Sequence, residues 1–253
     1  MSVGNLEDLP AKEMSSAGEG GAALGGTLCT AMAAVVFLVS ASPGRWAAGA
    51  QVTSFQLDSV DGLEVVHAKT EVRTYRGRKA VRLLPVPEQE SPDDTMLAIV
   101  KASSFKDGVI EAEIAGSPRP GAPSDARGFV GIAFRVQPDD SHYECFYIRP
   151  TNGRADDQLR RNHATQYVSA PAYPWFRLRK ENPGVYESYV DLESGSWTRL
   201  KIVATGTQAR LYVNGAEQPA LIVNDLKLGE TQGRVALWAD PTTDAYFSNL
   251  TIK

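Results

Sequence analysis

Cysteine is nearly absent from this chain of 253 residues, which contains two. Only Cys145 lies beyond residue 50, so that part of the chain cannot form an internal disulfide and must be stabilised by its core. The sequence also has no Cys-x-x-Cys, His-x-x-x-His or clustered acids at metal-ligand spacing. P-loop and dinucleotide fingerprints are missing as well. We therefore expect no metal centre and no cofactor.

The chain has no large excess of positive or negative charge. The net charge is -4 and the pI is about 5.5, so no global electrostatic attraction to nucleic acid or anionic lipid is expected. Hydrophobic residues make up 43% of the chain and charged residues 22%. This balance is ordinary for a globular protein and argues against a disordered or fibrous chain.

A hydrophobic run of membrane-spanning length is missing too. The uncharged stretch Leu28–Ser42 is shorter than the roughly 20 residues that a spanning helix needs. Ala48-Gly49-Ala50 follows it and has the small-x-small pattern that signal peptidase accepts. We predict that residues 1–50 are a signal peptide or a disordered segment, with cleavage after Ala50 and export to the periplasm or exterior. An uncleaved anchor and a start near Met14 stay open as alternatives.

From residue 51 onward the sequence alternates with a period of two. Val109–Ala115, Phe129–Val136 and Trp197–Ala204 are typical of strands, and Asn214-Gly215 is typical of a tight turn between them. A helical period is nowhere sustained for three turns. Residues 51–253 are therefore predicted to form one all-β domain, a jelly-roll sandwich of two antiparallel sheets with short helices at most.

Tyrosine and arginine are unevenly placed. Six of the nine tyrosines and six of the 17 arginines lie between Pro138 and Asp191, and residues 150–185 show little strand pattern. Aromatic rings stack on the apolar faces of sugars, while guanidinium and amide groups reach the hydroxyls. We predict a saccharide site here; an ordered loop held by its own aromatics and ion pairs is the alternative. The predicted ligand-binding residues are Arg135, Tyr147, Arg149, Asn152, Arg154, Arg160, Arg161, Asn162, Gln166, Tyr167, Tyr173, Trp175 and Trp238.

Several strings of residues carry a family resemblance. They include Gly128–Arg135, Tyr143–Pro150, Gly233–Trp238 and Ala245–Leu250. Together they resemble the concanavalin A-like lectin/glucanase superfamily, and within it the bacterial exported laminin-G-like and 3-keto-disaccharide hydrolase-type domains. The resemblance implies two curved sheets with a ligand on the concave face. It also leaves open a structural calcium ion held by an acid such as Asp240 or Asp244, since related jelly rolls often hold one.

Candidate catalytic groups are few. The laminarinase-type Glu-x-Asp-x-x-Glu motif is absent, because Glu111-Ala-Glu113-Ile-Ala-Gly116 lacks the Asp and the second Glu. Glu111 and Glu113 would still project from one strand face about 6.5 to 7 Å apart, which is close to the roughly 6.5–9.5 Å of inverting glycosidases. His163 is a second candidate, as a general base in a polar loop.

Strand alternation places Arg135, Tyr147 and Arg149 on one surface, and we expect Glu111 and Glu113 to share that concave surface. A salt-bridge lattice between these acids and arginines is the structural alternative. The resulting hypothesis is an extracytoplasmic protein that binds an oligo- or polysaccharide. Two alternatives stay open: a glycoside hydrolase using Glu111/Glu113 or His163, and a noncatalytic adhesion domain of laminin-G type.

Overall fold

The computed structural model describes residues 52–86 and 95–253, and the predicted signal segment lies outside them. The described part consists of strands and three short helices. The strands are β1 (Thr53–Phe55), β2 (Leu63–Val66), β3 (Ala68–Tyr75), β4 (Arg78–Pro85), β5 (Met96–Phe105), β6 (Gly108–Pro118), β7 (Val130–Val136), β8 (Tyr143–Ile148), β9 (Thr165–Ala170), β10 (Glu187–Ser188), β11 (Thr198–Thr205), β12 (Gln208–Val213), β13 (Leu221–Val223), β14 (Gly233–Ala239) and β15 (Thr243–Ile252). The helices are a 3-10 helix (Pro150–Asn152), α1 (Gln158–Asn162) and α2 (Trp175–Glu181).

The strands form two antiparallel sheets. The first sheet has the order β13-β12-β11-β6-β15-β4-β3, with β1 beside β15. The second sheet has the order β10-β9-β8-β7-β14-β5-β2. The chain crosses between the sheets several times, from β5 in the second sheet to β6 in the first and back to β7. This architecture confirms the predicted all-β sandwich with short helices.

The core lies between the two sheets and follows the predicted alternation. Ile110 and Ile114 of β6 face inward from the first sheet, and Ile132 and Phe146 face inward from the second, all within one buried cluster. Every residue of β7 and β8 is buried, including those on the outer face. The second sheet is therefore covered on both sides, and the segments that cover its outer face are the ones that build the site.

Residues 150–185 are more ordered than the sequence pattern suggested. They contain the 3-10 helix, α1, β9 and α2, and β9 pairs with β8 from Thr165 to Ala170. The side chain of Asp157 caps α1 by accepting a hydrogen bond from the Arg160 backbone N–H at 2.9 Å. Each helix is too short to leave a periodic signal in the sequence, because one or two turns do not repeat the pattern.

Arg135 does not share a surface with Tyr147 and Arg149, which corrects one predicted site residue. It has a φ of 53° and lies where the pairing of β7 with β14 shifts register, as at a β-bulge. The bulge takes its side chain out of the strand alternation. The guanidinium is fully buried and donates to the backbone oxygens of Lys106 at 2.8 Å and Gly206 at 2.7 Å, and also to that of Gly229. Arg135 thus ties three turns together at the end of the sandwich.

Within the residues that the structure describes, no helix is both long enough and apolar enough to cross a membrane.

Candidate functional site

A groove with a volume of about 880 Å³ lies over the outer face of the second sheet. Its floor is built from β8 and its neighbours, and its walls come from the segment before β7 and from the helices that follow β8. Tyr143, Tyr147 and Arg149 line it together because alternate residues of a strand share one face. Phe146 and Ile148 point the other way, into the core.

Two aromatic rings form the centre of the floor. Tyr147 and Trp238 stack with their centroids 4.7 Å apart and their planes at 17°. Gly131 pairs with both residues across the sheet, so it lies between the two strands that carry the rings. A Cβ at Gly131 would approach the Tyr147 Cβ to 2.6 Å. The missing side chain therefore lets the two rings meet.

Arg149 lies at one end of this floor, almost wholly buried. Its Nη2 donates to the Tyr147 hydroxyl and to Gln166 Oε1, both at 3.0 Å, and its Nη1 donates to the His163 backbone oxygen at 2.9 Å. The guanidinium also lies 5.1 Å from the centroid of the Tyr147 ring. Burial lowers the pKa of Arg149, and its neutral partners hold a positive charge beside the aromatic floor.

The segment after β8 is fixed to this arginine through Asn152 and Arg160. Asn152 Nδ2 donates to the His163 backbone oxygen at 3.1 Å, and Asn152 Oδ1 accepts from Arg160 Nε at 2.9 Å. Arg160 Nη2 also donates to Thr151 Oγ1 at 3.0 Å. The polar wall of the groove is therefore a connected network rather than a set of free side chains.

His163 lines the groove and contacts a buried acid. Its Nε2 lies 3.2 Å from Glu187 Oε1, and the Arg179 guanidinium donates to the same carboxylate, with Nη2 2.7 Å from Oε2. Burial lowers the pKa of His163 despite the attraction of Glu187. A neutral imidazole that donates to Glu187 keeps its Nδ1 as an acceptor, which is the form a general base needs.

Asp240 is the buried carboxyl group of the groove. It accepts from the Thr242 hydroxyl at 2.6 Å and from the Thr243 hydroxyl, and burial raises its pKa to about 6. Asp244 accepts from Arg82 Nε at 2.6 Å. Both acids considered for calcium are thus engaged by protein donors. Within residues 52–86 and 95–253, no group of three or more His, Cys, Asp or Glu is placed to hold a metal ion.

No protein-family model matches the chain, and no curated protein matches it either. Solved structures do. A protein of unknown function with a galectin-like fold from Bacillus subtilis has a TM-score of 0.53 at 12% identity, covering 79% of this chain and 94% of that one. A sialidase has a TM-score of 0.50 at 10% identity, covering 80% of this chain and 18% of the sialidase. The fold is galectin-like. The carbohydrate-binding module CBM66 from Bacillus subtilis has a TM-score of 0.49 at 15% identity and covers 76% of this chain and 96% of the module.

The galectin-like fold confirms the predicted jelly-roll sandwich of two antiparallel sheets. At these identities the likeness concerns the backbone alone, so the ligand must be argued from the side chains. The galectin-like fold brings together seven of the predicted site residues, which all line the groove: Tyr147, Arg149, Asn152, Arg160, His163, Trp175 and Trp238.

The galectin-like fold places six other predicted residues outside the groove. Gln166 lies behind Arg149 and accepts its hydrogen bond. Tyr167 faces the core, where its hydroxyl donates to Glu144 Oε2 at 2.6 Å. Alternation along β9 explains both positions, because neighbours on a strand point to opposite faces. The remaining four lie in the covering segments and have partners there: Arg154 with Asp191, Arg161 with Tyr189, Asn162 with Gln158, and Tyr173 with Arg177.

Glu111 and Glu113 do not face the groove, which corrects the expected shared surface. They belong to β6 in the first sheet, whose outer face lies on the opposite side of the galectin-like sandwich. Glu111 pairs with Arg199 and Lys253, and the hydrogen bond from Arg199 lowers its pKa. Glu113 pairs with Arg78. A salt-bridge lattice does exist around these acids, but with arginines other than those anticipated, and a general acid would need a raised pKa.

Sequence reasoning missed Arg127 and Arg179 as groove residues. The antiparallel pairing of Val130 with Ile148 places the residues before β7 beside those after β8, so Arg127 had to lie near Arg149 once that pairing was known. Arg179 follows Trp175 by four residues, and on a helix this spacing places the two side chains next to each other. Its guanidinium lies 4.8 Å from the centroid of the Trp175 ring.

Proposed function

We propose that the protein binds a saccharide in the groove on the second sheet. The observation that carries this proposal is the stacked floor of Tyr147 and Trp238, which continues directly into the polar network of Arg149 and Asn152. A sugar ring presents an apolar face and a rim of hydroxyls, and the accessible Trp175 together with this polar network offers the complementary surfaces. The groove volume of about 880 Å³ lies in the range of roughly 300–1,000 Å³ typical of ligand sites.

Among the aromatic residues that line the groove, Trp175 and Phe176 are the most accessible. Trp175 is 37% exposed and Phe176 is 53% exposed, and both begin helix α2. The Arg179 guanidinium rests over the Trp175 ring and restrains it. Tyr147 and Trp238 are nearly buried. We therefore expect Trp175 to provide most of the stacking against a sugar, while Tyr147 and Trp238 set the width of the groove floor.

We further propose that the protein acts outside the cytoplasm on an oligo- or polysaccharide, and that residues 51–253 are one mature domain. This rests on the apolar run Leu28–Ser42 and on the small-residue pattern before Gln51. Mass spectrometry of the protein recovered from the medium or periplasm should give Gln51 as the first residue. Retention of Met1 in the cytoplasmic fraction would contradict export.

Saccharide binding is tested by screening the full-length protein on a glycan array and titrating the best ligand. The Trp175→Ala variant should lose about two- to tenfold in affinity, the value of one stacking contact of about 0.5–1.5 kcal/mol. Tyr189→Ala is the matched control, because Tyr189 is an exposed aromatic residue outside the groove. Binding to no glycan, or an equal loss in both variants, would contradict the proposal and favour an adhesion domain.

A second candidate function is hydrolysis of the bound saccharide. The observation that favours it is the contact of the groove-lining His163 with Glu187, an arrangement that orients an imidazole for proton transfer. Glu111 and Glu113 contribute nothing to this candidate, because they lie on the other sheet.

A further inference from the structure

The end of the groove at Arg149 is lined by four arginines, namely Arg127, Arg149, Arg160 and Arg179. Arg179 is paired with Glu187. Among the described residues, the other three have no carboxylate oxygen within 4.0 Å of a guanidinium nitrogen. Arg154, which belongs to the same covering segments but lies outside the groove, is paired with Asp191 and Glu193. Unpaired guanidinium groups are therefore concentrated where a ligand would lie.

The three unpaired arginines are held in place by neutral groups. Arg127 Nη1 donates to the backbone oxygens of Ser124 and Ala126, both at 3.1 Å. Arg160 donates to Asn152 and Thr151, and Arg149 to Tyr147, Gln166 and a backbone oxygen. These contacts orient the guanidinium groups without neutralising them. Both hydrogen bonds of Arg127 within the described residues come from Nη1, which leaves Nε and Nη2 for a ligand.

The positive charges at this end repel one another. Burial lowers the pKa of Arg127, and the nearby charges of Arg160 and Arg149 lower it further. The pKa of Arg149 is lowered mainly by burial, and the positive charge of Arg179 lowers it further. The groups facing them offer limited compensation. Asp125 attracts Arg127 without forming an ion pair, Asp157 is committed to capping α1, and Glu187 is shared by His163 and Arg179.

The opposite end of the groove carries negative rather than positive charge. Asp139 and Asp140 line it beside Tyr143, and because Asp140 is paired with Arg234, the free negative charge there belongs to Asp139. Asp139 accepts hydrogen bonds from the backbone N–H groups of His142 and Ser141, which hold its pKa at about 2. It is therefore ionised throughout the physiological range and would repel an anion. The groove thus has a cationic end and an end that carries negative charge.

We propose that the ligand is an acidic saccharide, and that its carboxylate or sulfate group binds between Arg127, Arg149 and Arg160. This inference rests on the proposed saccharide binding and adds the class of sugar and its direction in the groove. Guanidinium groups bind carboxylate and sulfate oxygens through paired, charge-assisted hydrogen bonds. An anion at this place would pair with three guanidinium groups that have no carboxylate oxygen within 4.0 Å among the described residues.

The test compares acidic polysaccharides with their neutral partners. Oligogalacturonate is titrated against its methyl ester, and dextran sulfate against dextran, into the full-length protein at neutral pH. The acidic member of at least one pair should bind about tenfold or more tightly than its partner, and the preference should shrink as salt is added. The first pair reports a carboxylate site and the second a sulfate site.

Substitutions locate the anion. Arg127→Gln and Arg160→Gln should each reduce the preference for the acidic partner about tenfold or more, as expected for loss of one charged hydrogen bond. Arg154→Gln should leave it unchanged, because that arginine lies outside the groove and is paired. Arg149 is left intact, since its burial makes a folding defect the expected result of its replacement. Thermal unfolding of each variant checks that its fold is retained.

The outcomes separate the inference from the function on which it rests. Equal binding of acidic and neutral partners, with loss of both in Trp175→Ala, would overturn the acidic specificity and leave saccharide binding standing. Absence of binding to every probe and every arrayed glycan would overturn both. A preference reduced equally by Arg154→Gln and Arg160→Gln would show nonspecific attraction of polyanions and would also overturn the inference.

Discussion

Tyr147 and Trp238 stack on each other across Gly131, although they belong to strands that are not neighbours. The strand between them, β7, contributes a residue with no side chain at the point of contact. The width and flatness of the groove floor therefore depend on a glycine that itself contacts no ligand.

Gly131→Ala should damage both stability and binding. The new Cβ would lie 2.6 Å from the Tyr147 Cβ, so strand and ring must shift at a cost of about 1–3 kcal/mol. Urea unfolding should show a lower midpoint, and titration of the best glycan a weaker affinity. Gly215→Ala is the control for affinity: Gly215 has a φ of 77°, so its substitution should also lower stability, but it lies in a turn away from the groove and should leave glycan affinity unchanged. An unchanged glycan affinity in Gly131→Ala would show that binding does not depend on the stacked rings of the groove floor.

Arg135→Met should destabilise the fold by about 3–5 kcal/mol, the usual cost of removing one side of a buried charged network. The substitution removes the donors for the backbone oxygens of Lys106, Gly206 and Gly229. Denaturant unfolding measures the change. The exposed Arg210→Met should stay within about 0.5 kcal/mol of wild type. If the two variants were equally stable, the three turns would not depend on Arg135.

Asp240 should give a distinctive pH dependence of stability. Its pKa is raised from 3.8 to about 6 in the folded protein, so the native state binds more protons than the unfolded state between these values. Its contribution to stability is present below pH 3.8 and is lost as the pH rises through about 6. The Asp240→Asn variant should therefore gain roughly 1–3 kcal/mol on wild type between pH 4 and pH 7.

The measurement is urea unfolding of wild type and Asp240→Asn across that range. Taking the difference between the two proteins cancels the surface carboxylates, whose lowered pKa values act in the opposite direction. A constant difference from pH 4 to pH 7 would contradict the raised pKa.

His163 decides between binding and hydrolysis. If the groove is catalytic, release of reducing ends from a glycan panel should be lost in His163→Ala and retained in His142→Ala, whose imidazole lies on the exposed surface. The rate should rise with pH around a value below the ordinary 6.5, because burial lowers the pKa of the imidazole that must be unprotonated. Binding without turnover in wild type would leave recognition as the function.

Alternation was enough to predict which face of β8 lines the groove. A regular strand keeps its period, so Tyr147 and Arg149 fall on the groove side and Phe146 on the core side. Arg135 escaped the same reasoning because a bulge is one extra residue in a pairing that the sequence does not display. Bulges become visible only when the partner strand is known.

The position of Glu111 and Glu113 could not be predicted for a different reason. Their spacing along β6 was correct, but the choice of sheet for a strand is set by long-range pairing. The chain passes from one sheet to the other at each end of β6. The local pattern predicts which residues of a strand face outward, but it does not predict to which of the two sheets the strand belongs.

Asp240 also lies in the segment that connects β14 to β15. β14 belongs to the sheet under the groove and β15 to the other sheet, and the few residues between them form the corner where the chain crosses. Asp240 fastens that corner by holding the Thr242 and Thr243 hydroxyls while its backbone N–H donates to the Phe129 oxygen. A ligand or a proton that binds this carboxylate therefore acts at the corner where the chain passes from the sheet under the groove to the other sheet.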